Sequence, residues 1–417
     1  MENMKVAIIG AGAAGCFCAV ELSRRLPDAR ITVYEAGKRP LAKLAVTGGG
    51  RCNFTNSWRD VRSLEEVYPR GAQLMKRALH NFSADDARAW FEAEGVPSVV
   101  QEDQCVFPVS QDAMQVVRTL EALMHRHGVQ VMTDCRVEDI RDIDADVKIV
   151  TTGGGAIKLL EPLDKLETVR PVPSLFTFKL ADAGLRSLMG TVVKNVTTSL
   201  AGTPFRATGT LLVTDWGVSG PCTLKLSSYA ARHLADNGYK GTLSVNWLGA
   251  NENGVRQILS DLFSTNPGKR VVNTPPEGIS SRMWKHLVLR AGIPKERVWA
   301  EVGGKMTSRL ATVLTSDAYE ITGRCHFKEE FVTAGGVSLS SVNISTLEAR
   351  AYPGLYFAGE VLDVDAVTGG FNLQAAWSTA WTVAQSIAKT SLVKSADSGG
   401  KIRLDVKEGE MLLLSFE

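Results

Sequence analysis

The 417-residue chain lacks the features that mark a metal protein or a disulfide-stabilised protein. Its seven cysteines are an odd number at scattered spacings, and no two form a C-x-x-C pair. This excludes a disulfide framework and a zinc site from our expectations. The six histidines form no ligand cluster, and His125 and His127 would point to different faces of a helix. We therefore expect no bound metal.

Long apolar runs and a large charge of one sign are also missing. No run of about 18 consecutive apolar residues occurs, so we expect no membrane-spanning helix and no membrane partner. The net charge is +2, which argues against a nucleic-acid partner held by bulk charge. The N-terminal apolar run has no basic leader, so we expect a cytoplasmic protein. With 44% hydrophobic residues, two to three globular domains are expected.

The first glycine motif, GAGAAG at residues 10–15, lies between an apolar run and a helical pattern. Gly10 permits a tight turn, Gly12 lets backbone amides approach a pyrophosphate, and Gly15 lets the helix pack against the strand. The start of that helix would add partial positive charge near the diphosphate. Glu35 ends the next strand, where it can accept hydrogen bonds from ribose hydroxyls and would repel a 2′-phosphate. The pattern predicts a site for FAD or NAD.

A second glycine-rich stretch, KLAVTGGGRCNFTN, occupies residues 43–56. Lys43 and Arg51 are candidate phosphate or flavin partners, and the three glycines at 48–50 would let backbone amides approach a flat ring. Cys52 lies in the same stretch. Because no second cysteine is near it in sequence, we interpret Cys52 as a packing residue rather than a redox centre.

A third motif lies near the C-terminus, in residues 352–388. An apolar strand ends in Gly359-Glu360, and TGGFNLQ then leads into a helix. A strand that ends in Gly-acid and is followed by a helix is how flavoproteins of the two-dinucleotide type hold the ribityl–phosphate end of FAD. The start of the helix is suited to stabilise negative charge at the flavin N1/O2 edge. This motif favours FAD over NAD.

Taken together, these motifs resemble those of the HI0933-like flavoproteins, a family also described as BaiN-like or aminoacetone oxidase-family NAD(P)/FAD-dependent oxidoreductases. The motifs that carry the resemblance are GAGAAG, TGGGRCNFTN, VFPVSQDAMQVVRTL, LLVTDWGVSGP, TAGGVSL and GLYFAGEVLDVDAVTGGFNLQAAW. The resemblance implies FAD as the cofactor. The FAD contacts that it implies are Gly10, Gly12, Ala13, Ala14, Gly15, Glu35, Lys43, Gly49, Arg51, Val137, Thr152, Gly153, Gly359, Glu360, Asp363, Gly370, Phe371, Asn372 and Leu373.

We predict an α/β fold, in which a Rossmann-like FAD domain of the two-dinucleotide type carries an inserted antiparallel β-barrel domain and a small helical subdomain. Short alternating strands after residue 170 favour the barrel. The predicted boundaries are 1–168 and 329–390 for the FAD domain, 169–252 and 313–328 for the barrel, 253–312 for the helical insert and 391–417 for a C-terminal tail.

The function implied by the resemblance is an FAD-dependent oxidoreductase. Hydride would pass through flavin N5 between NAD(P)H and a small organic substrate such as an activated alkene. NADH or NADPH would bind transiently, because the chain has no second complete G-x-G-x-x-G. The alternatives are a flavin amine oxidase that uses oxygen, and a non-catalytic or RNA-modifying FAD-bound protein. A plain NAD-dependent dehydrogenase conflicts with the C-terminal motif.

No catalytic residue can be assigned from these motifs. Four residues are candidates for acid–base work by motif position alone: Asp215, His326, Glu360 and Asp365. Asp215 stands in TDWGVSGP where the resemblance leads us to expect a histidine, and the competing interpretation is a structural turn. The substrate and the oligomeric state are not readable from the sequence.

Overall fold

The structure is a computed structural model, and it describes residues 3–155, 157–325 and 332–397, with two short strands further on. Side chains are described up to residue 392. The chain divides into two compact units. The first comprises Met1–Arg170, Gly335–Val364 and Gly369–Glu417, and the second Pro171–Ala334 and Asp365–Thr368.

The first part of the chain contains eight strands and six helices among the residues described up to 174. In chain order they are β1 (Lys5–Ile9), α1 (Ala13–Arg25), β2 (Arg30–Tyr34), α2 (Ala42–Gly50), β3 (Thr55–Asn56), α3 (Leu64–Val67), α4 (Ala72–Asn81), α5 (Ala84–Ala93), β4 (Ser98–Val100), β5 (Cys105–Pro108), α6 (Ala113–Arg126), β6 (Gln130–Met132), β7 (Val147–Val150) and β8 (Thr168–Ser174).

The middle of the chain alternates strands with helices and then becomes mostly helical. Its elements are β9 (Phe178–Leu180), α7 (Ala183–Arg186), β10 (Val192–Leu200), β11 (Arg206–Val213), β12 (Gly217–Ser219), α8 (Pro221–Tyr229), α9 (Ala231–Asp236), β13 (Gly241–Asn246), α10 (Glu252–Thr265), α11 (Ser281–Arg290), α12 (Gly304–Ser316), β14 (Asp317–Arg324) and β15 (Val332–Val337). The chain then returns to the first unit through β16 (Leu355–Phe357), α13 (Phe371–Asp397), β17 (Ile402–Arg403) and β18 (Ser415–Phe416).

The core of the first unit is a five-stranded parallel sheet in the order β16-β7-β1-β2-β6. Apolar, β-branched residues dominate β1 and β7, as expected of strands covered on both faces. Helices α1 and α13 pack against each other. Phe17 of α1 is fully buried and its ring lies 5.4 Å from that of Trp377 in α13. Because β1, β7 and β16 are parallel neighbours, their carboxyl ends lie at the same edge of the sheet, where ligands bind in such folds.

The second unit is built on a closed antiparallel barrel in the order β10-β11-β12-β9-β14-β13. Strand β14 alternates buried and exposed residues, which is the period of a strand with one face in a core. The helices α10, α11 and α12 bury Trp284 and other apolar residues in the same core. The predicted fold class, a Rossmann-like domain with an antiparallel barrel and helices, is confirmed.

Several local features differ from the sequence-based expectations. Residues 42–50 begin as a helix that is interrupted at Thr47, and β3, β4 and β5 form a small antiparallel sheet that we did not predict. Helix α13 continues to Asp397, past residue 390 at which we placed the end of the FAD domain. The final strand β18 pairs with β17 in a separate sheet. None of the described helices is long and apolar enough to cross a membrane.

Candidate functional site

The turn between β1 and α1 has no room for side chains at two of its glycines. Gly10 has φ +107°, and a Cβ there would lie 2.6 Å from the carbonyl oxygen of Thr151. A Cβ on Gly15 would lie 2.0 Å from the carbonyl oxygen of Gly10. The Thr151 hydroxyl donates to that same Gly10 oxygen at 2.7 Å. Strand, turn and helix are therefore in direct backbone contact, as the motif predicts.

The start of α1 presents free hydrogen-bond donors. No side chain caps the helix at Gly12, and the backbone N–H groups of Gly12, Ala13, Ala14 and Gly15 have no acceptor among the described residues. A Cβ on Gly12 would meet no atom within 4 Å, so the space in front of these donors is open. Unpaired N–H groups and the positive end of the helix dipole together form an anion site. The arrangement fits a diphosphate.

Glu35 has a structural role that the motif did not reveal. Its two carboxylate oxygens accept hydrogen bonds from the backbone N–H groups of Ala11, at 2.9 Å, and Gly37, at 2.7 Å. The side chain thus fixes the glycine turn to the end of β2. A carboxylate offers about four lone-pair positions, so both oxygens keep capacity for ribose hydroxyls.

Two further predicted segments lie at the same edge of the sheet. Thr152 and Gly153 follow β7, and Gly359 and Glu360 follow β16. A Cβ placed on Gly153 would lie 3.6 Å from Oε2 of Glu360, and one on Gly359 would lie 2.9 Å from Cβ of Ala14. The structure therefore brings the first and third motifs together through the parallel sheet.

The second motif forms a left-handed glycine loop. The helix α2 is interrupted at Thr47, and Gly48, Gly49 and Gly50 follow with φ values of 58°, 70° and 83°. Cβ atoms on Gly49 and Gly50 would meet nothing within 4 Å. These two glycines are therefore required by backbone conformation, and their amides line open space.

The chain after this loop is bonded directly to the start of α13. The Asn56 side-chain amide donates to the carbonyl oxygen of Gly369 at 3.0 Å. The Thr55 hydroxyl donates to Oε1 of Gln374 at 2.6 Å. A Cβ on Gly370 would lie only 2.2 Å from the carbonyl oxygen of Thr55. Motifs more than 300 residues apart in sequence thus share one backbone junction.

Three aromatic and amide side chains complete this junction. The Tyr68 hydroxyl donates to the Phe371 carbonyl at 2.9 Å, and the Trp377 indole N–H donates to the Phe54 carbonyl at 2.9 Å. The Asn53 amide, with its oxygen towards α13, accepts from the Gly370 N–H at 3.1 Å. Because these contacts are buried and polar, they fix the loop relative to the helix.

The first turn of α13 also has unpaired donors. The backbone N–H groups of Phe371 and Leu373 have no acceptor among the described residues. With the start of α1, this gives the first unit a second helix N-terminus with backbone amides that lack an acceptor among the described residues. The chemistry of both donor sets fits a group that carries a diphosphate and an electron-rich ring edge, as FAD does.

The remaining predicted FAD contacts lie in varied surroundings. Lys43 is exposed on α2. The Arg51 guanidinium stacks on the Phe107 ring, 4.3 Å from its centroid, and donates to the Gly48 carbonyl at 3.2 Å. Val137 lies in the irregular connection after β6. The remaining two predicted contacts are Asp363 after β16, whose N–H donates to the Val337 carbonyl at 2.9 Å, and Asn372 in α13.

The acid–base candidates remain unassigned. Asp215 is exposed in the turn between β11 and β12, which is closed by a hydrogen bond from the Thr214 N–H to the Gly217 carbonyl at 2.8 Å. Asp365 is fully buried and accepts a hydrogen bond from the Ser174 hydroxyl at 3.0 Å. His326 lies outside the described residues. The position of Asp215 favours the structural-turn interpretation.

Cys52 is fully buried in the glycine loop, with φ +61°. Burial raises the pKa of its thiol to about 12. It is therefore protonated at neutral pH, and a protonated thiol is a poor nucleophile. This agrees with our interpretation of Cys52 as a packing residue.

The fold and the two open helix starts define a class, the FAD-dependent oxidoreductases with a Rossmann-like domain. Two family models match the chain. The HI0933-like protein Rossmann domain matches residues 4–161, and the HI0933-like protein barrel and H2TH domain matches residues 172–332. The chain belongs to the HI0933-like family.

Three curated relatives align over almost their full lengths. The ribosomal RNA dihydrouridine synthase of Escherichia coli is 29% identical, over 94% of this chain and 100% of that protein. The protein of the same name from Haemophilus influenzae is 28% identical, over 92% and 98%. The 3-dehydro-bile acid delta(4,6)-reductase of Clostridium scindens is 27% identical, over 92% and 99%.

Proposed function

We propose that this chain binds FAD and reduces a carbon–carbon double bond conjugated to a carbonyl group, with NADH or NADPH as the hydride source. The observation that carries the FAD part is a pair of helix starts with amides unpaired among the described residues, those of Gly12–Gly15 and those of Phe371 and Leu373, in one Rossmann-like unit. Bound FAD would supply a reversible hydride acceptor and donor at its N5 position.

Different groups of the chain would bind different parts of FAD. The unpaired amides of α1 would hold the diphosphate, and Glu35 would accept the ribose hydroxyls while it fixes the turn. The amides of Phe371 and Leu373 would stabilise negative charge on the reduced ring, because partial positive charge collects at a helix N-terminus. Gly49 and Gly50 would bring backbone close to the cofactor.

The reaction class is supported by what the curated relatives are called. A dihydrouridine synthase saturates the C5=C6 bond of uracil, which is conjugated to the C4 carbonyl. A delta(4,6)-reductase of a 3-dehydro-bile acid saturates double bonds conjugated to the 3-oxo group. In both, the reduced double bond is conjugated to a carbonyl group, so hydride can add to the carbon of that bond farther from the carbonyl and a proton to the nearer one. Uridine in ribosomal RNA is the first candidate substrate, and a 3-oxo steroid enone is the second.

The first experiment is the visible spectrum of the purified protein under anaerobic conditions, before and after NADH or NADPH is added. We expect a flavin band that heat releases as FAD and that bleaches on addition of nicotinamide. The reduced protein should then regain its band when unmodified ribosomal RNA or a 3-oxo-4-ene steroid is added.

Three other results would contradict the proposal. Without releasable FAD, the cofactor assignment fails. A band that amines bleach but nicotinamides do not would identify an oxidase. A band that bleaches with nicotinamide and returns with neither alkene would remove the proposed substrate class.

A further inference from the structure

The helical part of the second unit, residues 253–312, carries a concentrated positive charge. It has ten lysines and arginines against four aspartates and glutamates, in a chain whose net charge is +2. The rest of the chain therefore carries more acids than bases. Because the sum over the whole chain hides this surplus, our expectation of no nucleic-acid partner did not take it into account.

Two connecting segments bring several of these cations side by side. Arg270 forms an antiparallel bridge with Val298, and the Trp299 N–H donates to the Lys269 carbonyl at 3.1 Å. Lys269 and Arg270 therefore lie beside the segment that contains Arg297. The pairing is between backbones, so it fixes where these residues emerge even though their side chains are long.

Helix α12 adds two more cations, one of which lies beside the turn that precedes Lys295. Lys305 and Arg309 are four residues apart in α12 and so share one face of the helix. The Arg309 guanidinium lies 3.4 Å from the position of a Cβ on Gly292, in the turn that follows α11 and leads to Lys295. We call this set the basic surface, and its members are Lys269, Arg270, Lys295, Arg297, Lys305 and Arg309.

Most of the basic surface has no ionic partner among the residues that the structure describes. Lys269, Arg270, Lys295, Lys305 and Arg309 are exposed and form no ion pair with any described residue. Arg297 pairs with Glu301 at 3.3 Å. Like charges repel one another and destabilise a fold slightly, and a bound external anion would relieve that repulsion.

We propose that the basic surface binds the phosphate backbone of RNA and so holds the RNA whose uridine is reduced; this inference rests on the proposed function. The cations are spread over two connections and one helix face instead of converging on a pocket. Such a spread matches a row of backbone phosphates better than a single small anion. Backbone contacts position an RNA without reading its sequence, which leaves the choice of uridine to other residues.

The test compares two triple variants of the full-length, FAD-loaded protein. K269Q/K305Q/R309Q removes three charges from the basic surface. K194Q/R206Q/K240Q removes three exposed charges of the barrel that form no ion pair with any described residue. The probe is ribosomal RNA transcribed in vitro, which carries no modified base. Binding is measured by fluorescence anisotropy from about 50 to 200 mM salt, a range in which phosphate contacts change affinity strongly.

We expect the first variant to bind the transcript about 10- to 100-fold more weakly at 100 mM salt, with a slope of log K against log[salt] reduced by about 2, since each phosphate contact contributes about 0.7 on single strands. The control variant should retain the wild-type affinity and slope. Equal losses in both variants, or no loss in either, would overturn the assignment, as would binding to anionic phosphatidylglycerol vesicles in place of RNA.

Product formation separates this inference from the proposed function. Dihydrouridine formed equally well by wild type and by K269Q/K305Q/R309Q would overturn the basic surface and leave the reductase intact. RNA bound through the basic surface without any dihydrouridine would support the surface and contradict RNA as the substrate. NADH-dependent reduction of a 3-oxo steroid should be the same in all three proteins, because that small substrate has no phosphate backbone.

Discussion

Glu35 illustrates how one residue serves both the fold and the ligand. The sequence motif predicted a ribose acceptor at this position, and the structure adds hydrogen bonds from the Ala11 and Gly37 amides. Sequence spacing could not reveal them, because a carboxylate that ends a strand is equally compatible with solvent. The acid is therefore required even before a nucleotide arrives, since each of its oxygens satisfies a backbone donor in the turn.

Replacing Glu35 with glutamine should weaken both roles. A glutamine has one acceptor oxygen, so its NH₂ group would face the N–H of Ala11 or Gly37 and leave that donor unpaired. Ala11 is buried, so an unpaired N–H there costs about 1–3 kcal/mol, whereas the exposed Gly37 N–H can bond to water. We expect E35Q to bind FAD about 10- to 100-fold more weakly and to unfold at a lower temperature as apoprotein, measured by FAD titration and by thermal melting. E102Q changes an exposed acid and should match wild type in both.

At the scale of elements, the sequence predicted which segments form helices and strands better than it predicted which of those elements contact one another. The paired helices at residues 72–81 and 84–93, with Ser83 capping the second, agree with the pattern of apolar residues and the Ser-x-x-Asp spacing. The junction between the glycine loop and α13 could not be predicted from spacing, because Asn56 and Gly369 are 313 residues apart. The small sheet of β3, β4 and β5 was missed because its strands are only two to four residues long.

This junction predicts different costs for two glycine substitutions. G370A puts a methyl group 2.2 Å from the Thr55 carbonyl at φ +88°, so the loop and α13 must separate. We expect a loss of about 3 kcal/mol or more in the free energy of unfolding. G49A has φ +70° but open space, so left-handed strain alone should cost about 1–2 kcal/mol. Urea unfolding of the two apoproteins measures both, and equal losses would contradict the proposed contact.

At the scale of the whole molecule, the net charge and the number of cysteines are less informative than the positions of the charges and thiols in the fold. The net charge of +2 is the balance of a basic helical region and an acidic remainder. The seven cysteines are likewise not equivalent, because five are buried while Cys135 and Cys325 are partly accessible. Composition predicted the absence of a disulfide framework, but only the fold shows that most thiols are isolated from water.

The buried thiols make stability depend on alkaline pH. Burial raises the pKa of Cys52 from 9.0 to about 12, and it raises the pKa of Cys16 and Cys18 further. In the unfolded chain these thiols lose their protons as the pH rises above 9, while in the folded protein they stay protonated. The unfolded state is therefore favoured as pH rises, and the stability present below pH 9 is lost progressively up to about pH 12.

At pH 10 each such thiol should have removed about 1.4 kcal/mol of stability relative to pH 7.5, or about 4 kcal/mol for the three together. Urea unfolding under reducing conditions at pH 7.5 and pH 10 measures this loss. C16A/C18A/C52A will have lower stability at both pH values because it removes buried atoms, but its loss between them should be smaller by about 4 kcal/mol. C135A/C325A should retain the wild-type loss, because these thiols are partly accessible. If C16A/C18A/C52A lost as much stability between pH 7.5 and pH 10 as the wild type, other groups would be responsible for the alkaline sensitivity.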